Sequence, residues 1–565
     1  MHRMVGLWAC VLLCVLAVDA AAENIDAGKA RAVMCTACHG ISGIGVSDYW
    51  PNLAGQKKGY LIKQIKAFRD GVRVDPAMSP MAVHLSDQDV ADIAAYYSSL
   101  DSSPSNSAES FSNSNGTKVY KFPKIEGTIS TDKTSIEAES TDFGGYTKAI
   151  PQVVVKPKTI ADIAIVVRWA NENNLPITPR GTGHTTDGAS LSEGGIILKT
   201  ELLTKVRTLS NGLVEAEAGA RVFEVAIEAD KSDMHLPASA GFVAQTVGGV
   251  LSVGGYFLGA PTEGLMIDHV EELTVVTGAG EIVVCSLDKN PKLFNAALGG
   301  LGQFGVIAKA VFKVTPRKKY IHEYYAEYPD VESLIQEMKD SANDKRFHAM
   351  DGYTWRDGKA VILLEKVVWS DSPTPFEASD VFSSRNNVVK GSTKFKHTFG
   401  YLDYVQRGNV LHGLMGQGLF PWIDVVFPKD RSVEFFKYFA KIVPKDLISG
   451  PQDFLSINVI RKKREHQYSI QQLPVTKEGD IYFAASFSPM FKTPEEVERF
   501  KEIDKKLLKF AMDLGGKTYV INGLPKDQAQ WKQHFGDNWE KVMEAKKEFD
   551  PNGIMSTGLP GLTWE

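Results

Sequence analysis

The chain has 565 residues, an apolar fraction of 43% and a formal net charge of −5 at pH 7. This length predicts three or four domains of ordinary size, and the apolar fraction is that of a globular protein. The mildly acidic balance argues against nucleic acid as a main partner, because nucleic-acid-binding domains are usually basic.

The first 22 residues predict a secretory signal peptide. Arg3 provides a short positive end, an apolar run covers positions 5–18, and the alanines at 20–22 form an A-x-A cleavage site. The apolar run is too short for a membrane-spanning helix with ordinary flanks. We therefore expect a periplasmic product without stable membrane insertion, whereas an uncleaved segment would anchor the protein to a membrane.

The run C-T-A-C-H from Cys35 to His39 is the signal for attachment of c-type haem. In such a site Cys35 and Cys38 form thioethers to the porphyrin, and the adjacent His39 becomes an axial ligand of the iron. A zinc or redox C-x-x-C is the alternative interpretation.

Two amphipathic helices are expected after this signal. Apolar residues lie at helical spacing between positions 60 and 69, and again from Val90 to Tyr97 after Ser86. Together with the haem signal they predict an all-α unit over residues 23–100.

This unit resembles a class I cytochrome c, because a P-N-L run begins at Pro51 at the family's interval from the haem signal. In that family the proline carbonyl accepts a hydrogen bond from the ligating histidine, and a methionine is the sixth ligand. Met78 and Met81 are the candidates. The spacing to the following L-S-D run favours Met78, and His84 is an outside alternative.

A Ser/Asn-rich stretch over residues 101–117 predicts a flexible linker, because it contains little apolar surface to bury. From about Val119 the pattern alternates short β runs, such as 153–155 and 196–198, with helices such as 160–172. Between 320 and 482 the runs are longer, which predicts a second sheet with helices on one side.

A glycine-rich run, P-R-G-T-G-H-T, begins at Pro179 after the first of these strands and helices. Glycine lets the backbone approach a phosphate, and successive N–H groups form an anion nest. With the T-V-G-G run at 246–249 and the glycine-rich segment at 299–307, it resembles the flavin-binding domain of the vanillyl-alcohol oxidase and p-cresol methylhydroxylase superfamily. The resemblance implies the FAD-binding residues Arg180, Gly181, Thr182, Gly183, His184, Thr185, Thr246, Gly248, Gly249, Gly254, Gly305, Val306 and Ile307.

Further motifs resemble cytokinin dehydrogenases, over about residues 150–560. They are P-W-I-D at 421–424, H-F-G at 534–536 and F-D-P at 549–551. His184 stands where those enzymes attach FAD covalently, so the resemblance implies a histidyl flavin. A histidine that only contacts the flavin is the alternative.

Some relatives add a second flavin link through a cysteine. The segment 238–245 has no cysteine, so a second link is not expected here. Cys285 lies in a strand-like run and is expected to be a buried thiol, which leaves no pair for an internal disulfide.

The segment 237–246 also lacks the aspartate that cytokinin dehydrogenases use as a base. An acid appears instead at Asp424, where those enzymes have asparagine. Asp424 and Tyr519 are therefore our catalytic candidates, with Asp424 as general base or cation site. The alternative for Asp424 is a structural salt bridge to Arg407 or Lys429.

The expected fold is multidomain: an all-α cytochrome c domain, an α+β FAD-binding domain and an α+β substrate cap with an antiparallel sheet. The boundaries follow from the motifs and the composition. They are 1–22 for the signal peptide, 23–100 for the cytochrome, 101–117 for the linker, 118–317 and 518–565 for the FAD-binding domain, and 318–517 for the cap.

These features predict a flavocytochrome c dehydrogenase that oxidises a small alcohol or phenolic compound and passes electrons singly from FAD to haem c. One alternative is oxidation of a secondary amine, as in cytokinin dehydrogenases, and another is a non-catalytic shuttle or redox sensor. The expected downstream partner is a soluble cytochrome or copper protein. The basic residues between 57 and 73 are typical of a solvated helix face, or would suit such docking.

Overall fold

The architecture was taken from a computed structural model of the full chain. The structure describes residues 24–40, 43–45, 50–75, 78–100, 110–112, 119–356, 359–383, 387–407, 418–447, 454–466, 468–471, 473–474, 479–522, 525, 527–555, 558 and 562. The predicted signal peptide lies outside them. No helix in these ranges is long and apolar enough to span a bilayer.

The N-terminal domain is all-α, as expected. Its helices are α1 (Ile25–His39), α2 (Lys58–Arg69), α3 (Met78–Ala82) and α4 (Asp87–Ser99). Ser86 and Asp89 form a capping box at the start of α4, which satisfies two backbone donors. Apolar residues of α1, α2 and α4, among them Ala32, Leu61 and Tyr97, pack together as the core of the domain.

The structure contains one short strand inside the segment that was predicted to be a flexible linker. Ser110–Ser112 (β1) pairs antiparallel with Val119–Lys121 (β2), and Phe111 stacks on Tyr120 at 4.7 Å between ring centroids. The apolar ring of Phe111 therefore has a partner that the polar composition around it does not reveal. Residues 101–109 and 113–118 of the predicted linker lie outside the described ranges.

The next domain contains two sheets. The four-stranded sheet has the order β3-β4-β6-β5, and its last three strands are parallel because the helix α6 connects β4 to β5. A five-stranded antiparallel sheet has the order β13-β12-β14-β8-β7. The elements of this domain are β3 (Thr128–Ser130), α5 (Lys133–Ala138), β4 (Val153–Lys156), α6 (Ile160–Asn173), β5 (Ile177–Arg180), β6 (Ile196–Lys199), β7 (Val206–Thr208), β8 (Val214–Glu217), α7 (Val222–Asp230), β9 (Met234–His235), β10 (Ser239–Ala240), α8 (Val247–Val253), β11 (Phe257–Leu258), α9 (Ala260–Glu263), β12 (Val270–Val276), β13 (Ile282–Cys285), α10 (Pro291–Ala297), β14 (Val306–Phe312) and β15 (Thr315–Pro316).

The cap is one eight-stranded antiparallel sheet with the order β19-β16-β18-β17-β21-β22-β20-β23, covered by helices. Its strands are β16 (Tyr320–Glu327), β17 (Phe347–Arg356), β18 (Lys359–Ser370), β19 (Lys394–Phe399), β20 (Ile423–Pro428), β21 (Phe454–Arg461), β22 (Ile481–Ser488) and β23 (Lys517–Thr518). Its helices are α11 (Val331–Ser341), α12 (Ser432–Ile442) and α13 (Pro494–Asp513).

The C-terminal segment returns to the four-stranded sheet. Helices α14 (Gln528–Phe535) and α15 (Trp539–Phe549) lead to Ile554, whose carbonyl accepts a hydrogen bond from the N–H of Ile177 at 2.7 Å. Cys285 is fully buried, and burial raises the pKa of its thiol to about 12. Domain types and their order therefore match the expected fold class.

Candidate functional site

The end of α1 forms one wall of a cavity of about 530 Å³, which we call the haem-side cavity. His39 is 3% exposed, and its Nδ1 lies 2.8 Å from the carbonyl oxygen of Pro51. Its Nε2 is buried and has no hydrogen-bond partner among the described residues. Burial lowers the pKa of His39, although the bond to Pro51 opposes this, so the ring is held in the neutral form that binds metals.

The walls of this cavity suit a c-type haem. Cys35, Met78 and Met81 line it together with His39, so a thiol, two thioethers and the buried Nε2 are available to one macrocycle. Cys38 lies in the same helix, and its side chain is outside the described part. Because both methionines line the cavity, the preference for Met78 stays a prediction.

A second cavity, of about 480 Å³, lies between the FAD-binding domain and the cap, and we call it the flavin cavity. Most of the residues predicted to bind FAD line it, whereas Thr246 lines the haem-side cavity instead and Gly254 lines neither of the two cavities. The lining members of that set are Arg180, Gly181, Thr182, Gly183, His184, Thr185, Gly248, Gly249, Gly305, Val306 and Ile307.

The glycines of the 181–185 loop allow close approach of backbone segments. A Cβ on Gly181 would lie 1.9 Å from Thr246 Oγ1, and Thr246 caps α8 by accepting a bond from the N–H of Gly249. Gly183 has a φ of +74°, and a Cβ there would lie 2.4 Å from the Arg180 guanidinium. A cavity bounded by such glycines and a helix start fits a dinucleotide with its diphosphate.

Arg180 holds the start of this loop through contacts with Glu139 and Thr141. It is 6% exposed, its Nε lies 2.8 Å from Glu139, and it donates to the carbonyl of Thr141 at 2.7 Å. Lys199 reaches the other oxygen of Glu139 at 2.9 Å. Buried ion pairs of this kind hold a fixed geometry because breaking one leaves an uncompensated charge.

Asp424 lies on the wall of the flavin cavity at β20 and is 4% exposed. Its carboxylate accepts a hydrogen bond from the amide of Asn522. Burial raises the pKa of Asp424 to about 6, against the opposing hydrogen bonds of Ser486, Asn522 and Tyr256. A carboxylate with this pKa can act as a general base near neutral pH.

The structural alternative for Asp424 does not hold. Arg407 contacts Glu323 and lies 2.6 Å from Glu365, and no ion pair of Asp424 with Arg407 or Lys429 is found among the described residues.

Tyr519 also lines the flavin cavity, but its hydroxyl oxygen accepts a hydrogen bond from the N–H of Gly255 at 2.9 Å. Its ring meets Tyr256 edge to face at 4.8 Å, and burial raises its pKa. This geometry suits a residue that holds the 254–255 turn and the position of Tyr256 better than a proton acceptor.

Sequence reasoning missed a second acid in the flavin cavity. Asp351 on β17 is 1% exposed and accepts a hydrogen bond from the amide of Asn458. The strand register aligns Tyr353 with Ser456, Ser456 with Ser486, and Ser486 with Asp424. The signal available in the sequence was the presence of polar residues within otherwise apolar strands. Their alignment into one site depends on pairings between strands that are distant in sequence.

His184 lies where the two cavities meet, because the 180–184 segment and Gln245 line both of them. Its ring lies 4.5 Å from Phe143, 5.2 Å from Phe242 and 5.3 Å from Trp422 between centroids. These aromatic contacts hold the imidazole on the boundary between the flavin cavity and the haem-side cavity. Tyr404, Phe420 and Trp422 were candidates in the sequence for the aromatic walls of a substrate pocket, and of these three Trp422 lines the flavin cavity.

Comparisons with known proteins agree with this arrangement. Three family descriptions match in chain order: "Cytochrome c" over residues 25–101, "FAD binding domain" over 151–286, and "Cytokinin dehydrogenase 1, FAD and cytokinin binding" over 333–560.

Individual proteins match over similar lengths. An uncharacterized oxidoreductase, ORF5 of the fasciation locus of Rhodococcoides fascians, is 27% identical over 77% of this chain and 99% of its own length. Cytokinin dehydrogenase 2 of Arabidopsis thaliana is 26% identical over 79% of this chain and 95% of its own. The crystal structure of 6-hydroxy-D-nicotine oxidase from Arthrobacter nicotinovorans superposes with a TM-score of 0.59 at 18% identity, over 78% of this chain and 98% of that one, which shows a shared fold.

The fold and the matched domains therefore define an FAD-binding oxidoreductase. More specifically, the chain joins FAD-binding and cytokinin-dehydrogenase-like domains to an N-terminal cytochrome c domain, so FAD and haem are its cofactors.

Proposed function

We propose that the protein is a flavocytochrome c dehydrogenase that oxidises a small alcohol or phenolic compound and delivers the electrons to its own haem. The observation that carries this proposal is the shared loop at 180–184, which lines both the flavin cavity and the haem-side cavity. Two redox cofactors held on either side of one loop would be neighbours in the molecule, which favours direct exchange of electrons.

The chain's own residues would prepare substrate and cofactor for this reaction. FAD, when bound, supplies an acceptor for a hydride and a carrier that releases electrons singly. His184 would hold the flavin covalently at the boundary of the cavities. Asp424 would take the proton of the substrate hydroxyl, and Trp422 would exclude water beside it.

The test is anaerobic mixing of the holoenzyme with a panel of aromatic and aliphatic alcohols. We expect bleaching of the flavin, followed by the sharp visible band of ferrous haem, without any added mediator. An enzyme that forms peroxide in air as fast as it reduces external cytochrome is an oxidase, which would contradict the proposal.

A full-length variant with Cys35→Ser and Cys38→Ser is the matched control, because it keeps the flavin cavity intact and removes the haem attachment. Its flavin should still bleach with substrate, while reduction of an external cytochrome should fall to background. Equal reduction by this variant would mean that electrons bypass the haem.

Oxidation of a secondary amine is the second candidate, favoured by the match of residues 333–560 to the cytokinin-binding description. The absence of an acid in the 237–246 segment argues against it. Turnover of isopentenyladenine compared with alcohols separates the two. A protein whose flavin no small donor bleaches under anaerobic conditions would instead be a shuttle or redox sensor.

We further propose a periplasmic location and a soluble cytochrome or copper protein as the next acceptor. The predicted signal peptide and the haem signal support the location, because c-type haem is attached outside the bacterial cytoplasm. Fractionation of cells that express the full chain, followed by N-terminal sequencing of the mature protein, tests this.

A further inference from the structure

Asp142 is a buried acid that the proposed reaction does not use. It is 6% exposed and lines the haem-side cavity. Its Oδ2 accepts hydrogen bonds from the N–H of Gly188 at 2.7 Å and from Thr185 Oγ1 at 3.2 Å. Its Oδ1 is buried and has no hydrogen-bond partner among the described residues. A buried carboxylate oxygen is seldom left unsatisfied without a functional reason.

The backbone around Asp142 runs beside the backbone around His184. The N–H of Phe143 donates to the carbonyl of Gly183 at 2.9 Å, and the N–H of Gly144 donates to the carbonyl of Thr185 at 3.2 Å. The rings of Phe143 and His184 lie 4.5 Å apart. The backbone next to Asp142 therefore lies beside the 183–185 segment that contains His184, and Asp142 itself lines the haem-side cavity.

We infer that Asp142, through its unpaired Oδ1, accepts the proton of His184 when the imidazole becomes covalently bound to the flavin. The inference rests on the histidyl flavin of the proposed function. A carboxylate that receives the N–H of an imidazole makes the other ring nitrogen a better nucleophile, as in other histidine–carboxylate pairs.

Covalent attachment of the flavin forms one bond and breaks two. One imidazole nitrogen forms a bond to the 8α-carbon of the flavin, while a C–H bond of that methyl group and the N–H bond of the imidazole break. The imidazole proton passes to Asp142 and the methyl proton passes to solvent. The two electrons left on the flavin would pass to dioxygen, which takes up two protons and leaves as hydrogen peroxide.

The electrostatics around Asp142 suit this role. Burial raises its pKa to about 6, while the Gly188 N–H and Arg180 oppose the shift and Asp187 adds to it. A raised pKa means that burial favours the protonated form of this carboxyl, so Asp142 can hold a proton that the imidazole releases.

The experiment compares Asp142→Asn with Asp187→Asn. Asparagine keeps an oxygen that can accept the hydrogen bonds from Gly188 and Thr185. This change therefore removes the negative charge and preserves both hydrogen bonds. Asp187→Asn neutralises another carboxylate of the same loop and is the matched control. Apoprotein is mixed with FAD, and the acid-precipitable flavin and the mass of the His184 peptide are followed over time.

We expect Asp142→Asn to bind FAD but to attach it on the order of 100-fold more slowly. Asp187→Asn should attach it at the wild-type rate, and Asp142→Glu should recover part of the rate. Attachment by Asp142→Asn at the wild-type rate, or equal slowing by Asp187→Asn, would overturn the inference.

The wild-type protein tests the histidyl link separately from the role of Asp142. If the wild-type protein releases all of its flavin in acid, the histidyl link of the proposed function is wrong. If the wild type retains flavin and Asp142→Asn does so equally fast, the link stands and only the role of Asp142 fails. If Asp142→Asn does not fold, which loss of FAD binding reports, failure of Asp142→Glu to attach flavin faster than Asp142→Ala overturns the role.

Discussion

At the scale of single residues, Asp424 changes charge near neutral pH because burial raises its pKa to about 6. The form that accepts a proton is the carboxylate, which is populated above this pKa and lost below it. We therefore expect kcat/KM to rise with pH through about 6 and then to level off. Asp424→Asn should lower kcat by roughly 10²- to 10⁴-fold and abolish this rise.

Asp351→Asn is the control for this prediction, because it neutralises the other acid of the flavin cavity and keeps an oxygen for the amide of Asn458. It should change KM more than kcat and preserve the rise through about pH 6. If Asp424→Asn retains the rise and Asp351→Asn loses it, the base has been assigned to the wrong residue.

The sixth haem ligand is a second question at this scale. Met78 begins α3, and its N–H donates to Asp75 at 2.9 Å, whereas Met81 lies within α3. We expect Met78→Leu to remove the methionine–iron absorption band and to lower the haem potential. Met81→Leu should leave both unchanged. The reverse result would identify Met81 as the ligand.

At the scale of elements, the loop after β5 depends on the absence of a side chain at Gly181. A Cβ there would meet Thr246 Oγ1, and Thr246 cannot move without losing its cap on α8. Gly181→Ala should therefore prevent FAD binding while the haem spectrum stays normal. Gly59→Ala, where a Cβ would meet no atom within 4 Å, should bind FAD normally.

Local elements could be predicted from the sequence because their signals are local. The helix expected over 160–172 spans Ile160–Asn173, and the one expected after Ser86 begins at Asp87. Asp351 was missed because its place in the site depends on the pairing of β17 with β21, which are about a hundred residues apart in sequence. Register between distant strands carries no local signal. The β1–β2 pair is local, and it was missed because the polar residues around Phe111 conceal a short strand.

At the scale of the whole molecule, the cytochrome domain docks on the FAD-binding domain through the wall of the haem-side cavity. Trp50 lines this cavity next to Pro51 and packs against the core cluster that contains Phe223. Such packing buries an aromatic surface between domains and fixes their orientation. For the electron transfer proposed above, this docked arrangement predicts haem reduction within a single molecule.

We expect the wild-type haem to be reduced in a first-order step whose rate is independent of protein concentration. Trp50→Ala should leave reduction of the flavin by substrate unchanged and slow haem reduction between about tenfold and 100-fold, because small misplacements of reacting groups are costly. The measurement is anaerobic stopped-flow absorbance, which follows flavin and haem separately.

Trp539→Ala is the control, since Trp539 packs against the same core cluster but lines neither cavity. It should leave both rates at their wild-type values, and the haem spectrum of each variant reports whether the haem itself is disturbed. If Trp50→Ala reduces its haem at the wild-type rate, or if the wild-type rate grows with protein concentration, the haem receives its electrons from a geometry other than this docked one.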